Sequence, residues 1–359
     1  MSAQPGTAAR VLIAGPAGER WAHALRGTGA DVTPATGATP SQLTDTFAGA
    51  RFDAVVFTSV TPQLPAAIRT AALAGCDVLV AAPAALSAAE FASLAQTARR
   101  RGRIIRFHDG TDTDERLRFV RRMTRGHQAI WRPRYLRSLR ADSSSALDDL
   151  ALGELRMAME LLGAPERVSA VSPAEHEDSD LRRSAMMTLT FENGTVASLH
   201  VTAAEPEQRH EAVLACDGRA IVLDACNTRA PLQIHATARH GGPNPGAAWS
   251  EVISEFPAGP LADEIASAAE LFVRAVQSRD GAATNCHQMA EAMRIWEAAL
   301  RSIAAGGHPE ELTPHEQDHE RPALQVIVGG GRGGGSMAPP RLTVVRPQRF
   351  IREPEGTPA

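Results

Sequence analysis

A chain of 359 residues is too long for one small module, and roughly 150 residues per domain gives an expectation of two. Hydrophobic residues at 43% and charged residues at 22% describe a globular protein rather than a disordered one. The net charge of −4 leaves no general basic field to recruit nucleic acid or an anionic membrane. No long uncharged apolar run is present, and the opening MSAQPGTAAR lacks the order of a signal peptide, so a cytoplasmic location is expected. All 37 basic residues are arginine, which removes Schiff-base catalysis, a P-loop lysine and any lysine general acid. Cys76, Cys216, Cys226 and Cys286 form no CxxC pair, as expected of reduced thiols.

The first third alternates strand-like and helix-like segments. Val11–Ala14 is a short apolar run ended by Gly15, with a helix predicted over 19–27. Asp53–Phe57 and Asp77–Val80 read as buried strands, and Pro65–Ala74 as a helix closing at Gly75. Ser87 is an N-cap with Glu90 three residues on, a capping box that starts a helix to about Arg101. Arg103–Phe107 follows as a strand. Continuous apolar strands alternating with helices predict a doubly wound parallel sheet of Rossmann type. An arginine-studded helix at about 112–125 closes this first domain, placed at 1–125.

The middle changes character. Arg134–Leu139 is a predicted strand and Leu147–Leu162 an amphipathic helix stopped by Gly163. Ser184–Phe191 and Thr195–Val201 flank Asn193-Gly194, and Glu211–Ala215 and Ala220–Asp224 flank Asp217-Gly218; both pairs are hairpin signals. Leu232–Ala238 adds a strand, and helices return at 262–278 and 287–304. The second domain, 126–320, is thus an α+β unit on an open, largely antiparallel sheet with one face free. From 321 to 359 the composition, with GGGRGGG at 329–335, predicts a flexible tail.

Two motif matches are discarded. His315-Glu-Gln-Asp-His319 fits HExxH, but Pro314 and Pro322 flank it and no apolar stripe would bury it beside zinc, so no metal is expected. Gly329, Gly331 and Gly334 satisfy GxGxxG, but Ser336–Pro340 cannot be the helix that must follow. A third candidate, Gly15-Pro16-Ala17-Gly18-Glu19-Arg20, stands correctly between strand and helix. Ala17 and Arg20 sit where the second and third glycines belong; Arg20 would crowd helix–strand packing, and Glu19 would repel a pyrophosphate.

Taken together, Arg10–Gly15 with His23, the stretch DAVVFTSVTPQLPAAIRTAALAGCDVLVAAP at Asp53–Pro83, and Leu147–Gly163 with Pro165 and Val168 resemble the Gfo/Idh/MocA-type oxidoreductases over about 10–312. The family's Glu-Lys-Pro reads Ala81-Ala82-Pro83, so its catalytic lysine is lost. Its catalytic histidine falls on Gly153, its accompanying aspartate is kept as Asp149, and Pro65 replaces the histidine of its Thr-Pro loop. One branch also lacks the lysine: the thiazolinyl imine reductases of siderophore pathways. Arg10–Glu19, Thr36-Gly37 with Ser41, and Ala283–Trp296 with Leu312–His315 resemble it. The branch's histidine before the proline is Ala82 here, its tyrosine aligns near Thr111, and the lone Tyr135 lies elsewhere.

The resemblance implies NADPH contacts at Gly15, Ala17, Gly18, Thr36, Gly37, Ser41, Thr58, Ser59, Val60 and Pro83, and reduction of a C=N bond on a carrier-protein-bound intermediate. No carboxylate at Thr33–Gly37 would take a ribose 2′-hydroxyl, which favours NADP over NAD, although no arginine replaces it. A C=N bond needs less acid help than a ketone, so His108, Asp109 and Asp149 are the candidate catalytic groups. His108-Asp109-Gly110 reads equally as a polar turn, and Asp149 as a structural helix-start carboxylate. The arginines 116, 118, 121, 122 and 125 could dock an acidic carrier or simply form a solvated face. The losses at Ala17, Arg20, Pro65, Ala82 and Gly153 also admit a non-catalytic subunit. Its free sheet face at 184–238 would meet a second copy or a paralogous oxidoreductase.

Overall fold

The computed structural model describes residues 8–312, except residues 17, 36–38, 82–85, 109, 112, 127–131, 144, 174–182, 218, 227–231, 238–249, 256–262 and 282–283. The first five strands are β1 (Arg10–Ala14), β2 (Asp31–Ala35), β3 (Ala54–Phe57), β4 (Asp77–Val80) and β5 (Ile105–Phe107). They alternate with α1 (Gly18–Gly27), α2 (Pro40–Gly49), α3 (Leu64–Leu73) and α4 (Ala88–Arg101). The strands pair in parallel in the order β2-β1-β3-β4-β5. Both faces are covered, which is why β3 and β4 are apolar and buried throughout. Val55 and Phe57 join one core with α3 and α4, while Ala54 and Val56 join another with Trp21 and Leu25 of α1. The capping box at Ser87 and Glu90 is present.

The chain continues through α5 (Glu115–Gly126), β6 (Pro133–Ala141) and α6 (Leu147–Leu162) into β7 (Arg167–Val171). Next come β8 (Ser184–Thr190), β9 (Val196–Thr202), β10 (Arg209–Cys216), β11 (Arg219–Asp224), β12 (Leu232–Thr237) and β13 (Ser250–Glu255). These strands, with the short β14 (Glu310–Glu311), form a nine-stranded sheet ordered β13-β12-β11-β10-β6-β9-β8-β7-β14. Only the β6–β9 pair is parallel. The Asn193-Gly194 hairpin forms, Gly194 supplying φ +76 and the Asn193 side chain accepting from the Thr195 amide. The helices α7 (Glu264–Ser278) and α8 (Cys286–Ala304) then return to the parallel sheet. Phe272 and Val273 of α7 complete the α1-side core, and α8 packs between α4 and α6.

The sequence reading missed α2, β7, β13 and β14. In α2 only Leu43 is buried, so no apolar stripe announces the helix; its start is fixed by a capping box between Thr39 and Gln42. A second difference concerns Arg20. It is exposed and does not crowd the strand, because α1 turns Trp21, Ala22 and Leu25 inward instead. Gly18 makes the close helix–strand approach: a Cβ there would lie 3.1 Å from Ile13 Cγ2.

The outer edge of β5 is closed by side chains rather than by another strand. Asn285 Oδ1 accepts from the Phe107 amide at 2.8 Å and its Nδ2 donates to the Phe107 carbonyl at 2.7 Å. Thr284 Oγ1 and Cys286 Sγ meet the Ile105 amide and carbonyl. Asn285→Ala leaves two buried backbone groups without partners. The expected loss is about 2–4 kcal/mol of unfolding free energy, read as a lower urea midpoint.

Candidate functional site

In an open α/β sheet, ligands bind beyond the carboxyl ends of the strands where the strand order reverses. Here that point lies between β1 and β3, since β2 flanks β1 on one side and β3 on the other. Gly15 ends β1 with φ +126, a conformation open to glycine, and a Cβ there would lie 2.6 Å from Thr58 Oγ1 and 2.9 Å from Ser59 Oγ. The Thr58 amide donates to the Ala14 carbonyl at 3.0 Å, so the two loops are locked together at this point. Val60, in the same loop, is 47% exposed and offers apolar surface. Ser41 stands in the first turn of α2, its hydroxyl 3.3 Å from that of Thr39. Ala17, Thr36, Gly37, Pro83 and Asp109 lie outside the described residues, as do Ala82, His315–His319 and the tail.

His108 follows β5, and its ring meets the indole of Trp21 edge-on at 5.6 Å. That contact holds it on the α1 side of the parallel sheet, because Phe107 before it points to the opposite core. Asp149 lies instead in the first turn of α6. The structure therefore places these two expected catalytic groups on different faces. Asp149 Oδ1 is buried without a hydrogen-bond partner, and burial, assisted by the neighbouring Asp148, pushes its carboxyl up to about 6. Asp148 itself is bound at 2.8 Å by Trp296 Nε1 of α8.

One turn beyond Asp149 is Gly153, and its missing side chain is occupied. A Cβ at 153 would lie 2.6 Å from Arg140 Nη1. Arg140 on β6 stands opposite His210 on β10 in the strand register, and both approach Glu154 of α6. Glu154 is fully buried; its carboxylate is 3.7 Å from Arg140 Nη1 and 3.0 Å from His210 Nε2, and it accepts from the Ser138 hydroxyl. Burial pushes its carboxyl up, but His210, Arg140 and Ser138 outweigh that and hold it below the ordinary value. Arg140 and His210 remain partly exposed, at 31% and 20% of their side chains.

None of Arg140, Glu154, His210 or Ser138 was marked from the sequence. The available signal was Glu154, a charge within the buried stripe of Leu150, Ala151, Leu155 and Ala158. The Ala225 amide donates to the His210 carbonyl at 2.9 Å, and the next residue, Cys226, lies close enough to Arg116 at the start of α5 to act on its charge. Three α5 arginines are paired: Arg116 with Asp114 at 2.7 Å, Arg118 with Glu115 and Arg121 with Glu160. Among the described residues no group of His, Cys, Asp or Glu could hold a metal ion, and no helix is long and apolar enough to cross a membrane. Cys76, Cys216 and Cys286 are buried free thiols, pushed by burial to about 11, 11 and 12, while Cys226 is exposed.

The architecture joins a dinucleotide-type parallel sheet to an open second sheet. Residues 116–222 match the family described as the GFO/IDH/MocA C-terminal domain. No curated protein matches the chain by sequence. Among solved structures it is similar to GenD2 from gentamicin A biosynthesis in complex with NAD (17% identity, TM-score 0.65, 88% of this chain and 99% of that one). It is also similar to an NAD binding oxidoreductase from Klebsiella pneumoniae (14%, 0.69, 86% and 100%). An inositol dehydrogenase homolog from Azotobacter vinelandii, complexed with NADH and myo-inositol, gives 15%, 0.67, 86% and 98%. The chain thus has the Gfo/Idh/MocA two-domain α/β fold.

The Asp149 environment sets a pH-dependent cost. A carboxyl raised from 3.8 to about 6 in the folded state favours folding below about pH 4, and that contribution is lost as pH rises through about 6. Asp149→Asn is therefore expected to stabilise the protein at about pH 8 by of the order of 1 kcal/mol, partial exposure having reduced the full linkage value. The gain should vanish near pH 4, as measured by urea unfolding of both proteins at each pH.

Proposed function

We propose that the chain is an NADPH-dependent reductase of a C=N bond, acting on a carrier-bound intermediate in siderophore or other peptide natural-product biosynthesis. The observation that carries this reading is Asp149. It is a half-buried carboxyl pushed to about 6 with one oxygen unpartnered, in a chain with no lysine to act as acid or base. Such a carboxyl holds a proton for part of the neutral range and can donate it to the nitrogen of a C=N bond. Oxidation of a hydroxyl by the route the resemblance implies would need the lysine and the imidazole that positions 82 and 153 do not carry.

The residues present fit a dinucleotide. Gly15 keeps the turn after β1 free of the side chain that would fill the space beside Thr58 and Ser59. Gly18 brings the start of α1 against β1, where a helix N-terminus favours phosphate. Ser41 and Thr39 supply hydroxyls at the start of α2, just after β2, suited to a ribose 2′-phosphate. That preference departs from the NAD named for the similar structures. A bound reduced nicotinamide would supply the hydride.

Trp21 lies in the first turn of α1, so its fluorescence is a direct reporter. Titration should show micromolar NADPH binding, tighter than NADH, and Gly15→Ala should weaken it by about tenfold or more through strain and lost space. A carrier-bound thiazoline should then be reduced; no binding at millimolar cofactor overturns the proposal.

A second reading, a non-catalytic subunit, is favoured by one observation. The guanidinium of Arg140 stands where a side chain at 153 would be. Tyr135, Val171 and Met186, exposed on strands of the nine-stranded sheet, would then contribute to contact with a second copy or a paralogous oxidoreductase. Reduction of any imine by the isolated chain ends that reading.

A further inference from the structure

We propose that Arg140 and His210, set on the buried carboxylate of Glu154, form a subsite for a carboxylate group of the ligand, and that Gly153 is the residue that makes room for it. The inference names the chemical class of ligand for the site proposed above. It rests on that reading only in calling the ligand a substrate.

The first observation is how little of Arg140 is spent. Its guanidinium approaches Glu154 no closer than 3.7 Å, and among the described residues it donates no hydrogen bond. Five N–H donors are thus held in a fixed fork on a side chain 31% exposed. Ser138 donates to one oxygen of Glu154, while the other has His210 Nε2 at 3.0 Å and no hydrogen bond to it. The buried carboxylate attracts the guanidinium from a distance too long for a hydrogen bond, so its donors are not consumed.

The second observation is placement. Arg140 and His210 face each other across adjacent strands and share the side of the sheet on which α6 packs. The guanidinium lies over Gly153, one helical turn from Asp149. A planar fork with free donors, backed by a fixed charge beside an imidazole, is complementary to a planar carboxylate accepting two parallel hydrogen bonds. The ligand would then carry a free carboxylate near the atom that meets Asp149. On a carrier-tethered intermediate, that carboxylate is a different one from the acyl group in the thioester.

The test uses the full chain without cofactor, at constant ionic strength. Propionate, its neutral isostere propionamide and inorganic phosphate are titrated while the Arg140 Nε–H resonance is followed by NMR, assigned by its loss in Arg140→Gln. Saturable movement with propionate and none with propionamide is expected. Arg140→Gln should weaken propionate binding, followed on other resonances, by about tenfold or more, whereas Arg137→Gln on the same strand should leave it unchanged. If Arg140→Gln does not fold, Gly153→Ala serves instead, because its Cβ displaces the guanidinium and should produce the same loss. No saturation by propionate at about 100 mM, equal response to propionamide, or saturation by phosphate alone overturns the assignment. Failure of hydride transfer with binding intact would instead count against the proposed reduction, so the two failures are distinguishable.

Discussion

The placement of the two sheets depends on α8. This helix lies between the two sheets and meets polar groups on both sides. At its start, Asn285 seals the edge of β5. Further along, Glu297 accepts from the Ala88 amide at the start of α4 at 3.0 Å, and Trp296 holds Asp148 of α6. Toward its end, Ser302 Oγ accepts from the Ala170 amide of β7 at 2.9 Å. The Asn285 and Ser302 contacts satisfy buried backbone groups, so displacing α8 would cost several hydrogen bonds at once. Because the same helix fixes β5 and the first turn of α6, it sets how far Asp149 stands from the parallel sheet.

Around that frame, two carboxylates on one helix acquire opposite characters. Asp149 has burial and a like charge beside it, so its proton is held more tightly. Glu154 is more deeply buried, yet faces a guanidinium, an imidazole and a hydroxyl, and stays ionised. Partners rather than depth decide the outcome. This division, one carboxyl able to hold a proton and one facing a guanidinium and an imidazole, gives α6 a chemical repertoire although it carries neither lysine nor histidine.

The solved structures to which the chain is similar share its fold at 14–17% identity. A fold of this kind supports many chemistries, and the residues in the cleft determine which. In this chain the guanidinium of Arg140 lies against Gly153. A glycine at 153 admits a charged group from a neighbouring strand while α6 keeps its packing.

Much of the architecture was legible in the sequence because it is written locally. The apolar runs at β1, β3 and β4, the capping box at Ser87, the helix stop at Gly163 and the Asn193-Gly194 turn each need only their own few residues. Gly15 was marked as a turn glycine, and its local conformation and close approach bear this out. The lack of lysine, with the chemistry it excludes, also belongs to the sequence alone. The exposure of Arg20, the separation of His108 from Asp149, and the cluster of Arg140, Glu154 and His210 were decided by tertiary structure. Arg140 and His210 are 70 positions apart in the numbering and meet only because β6 and β10 pair in one register. Whether a glycine such as Gly153 marks an empty place or one filled from elsewhere depends on which strand lies opposite, and strand pairing is a long-range property that no local pattern encodes.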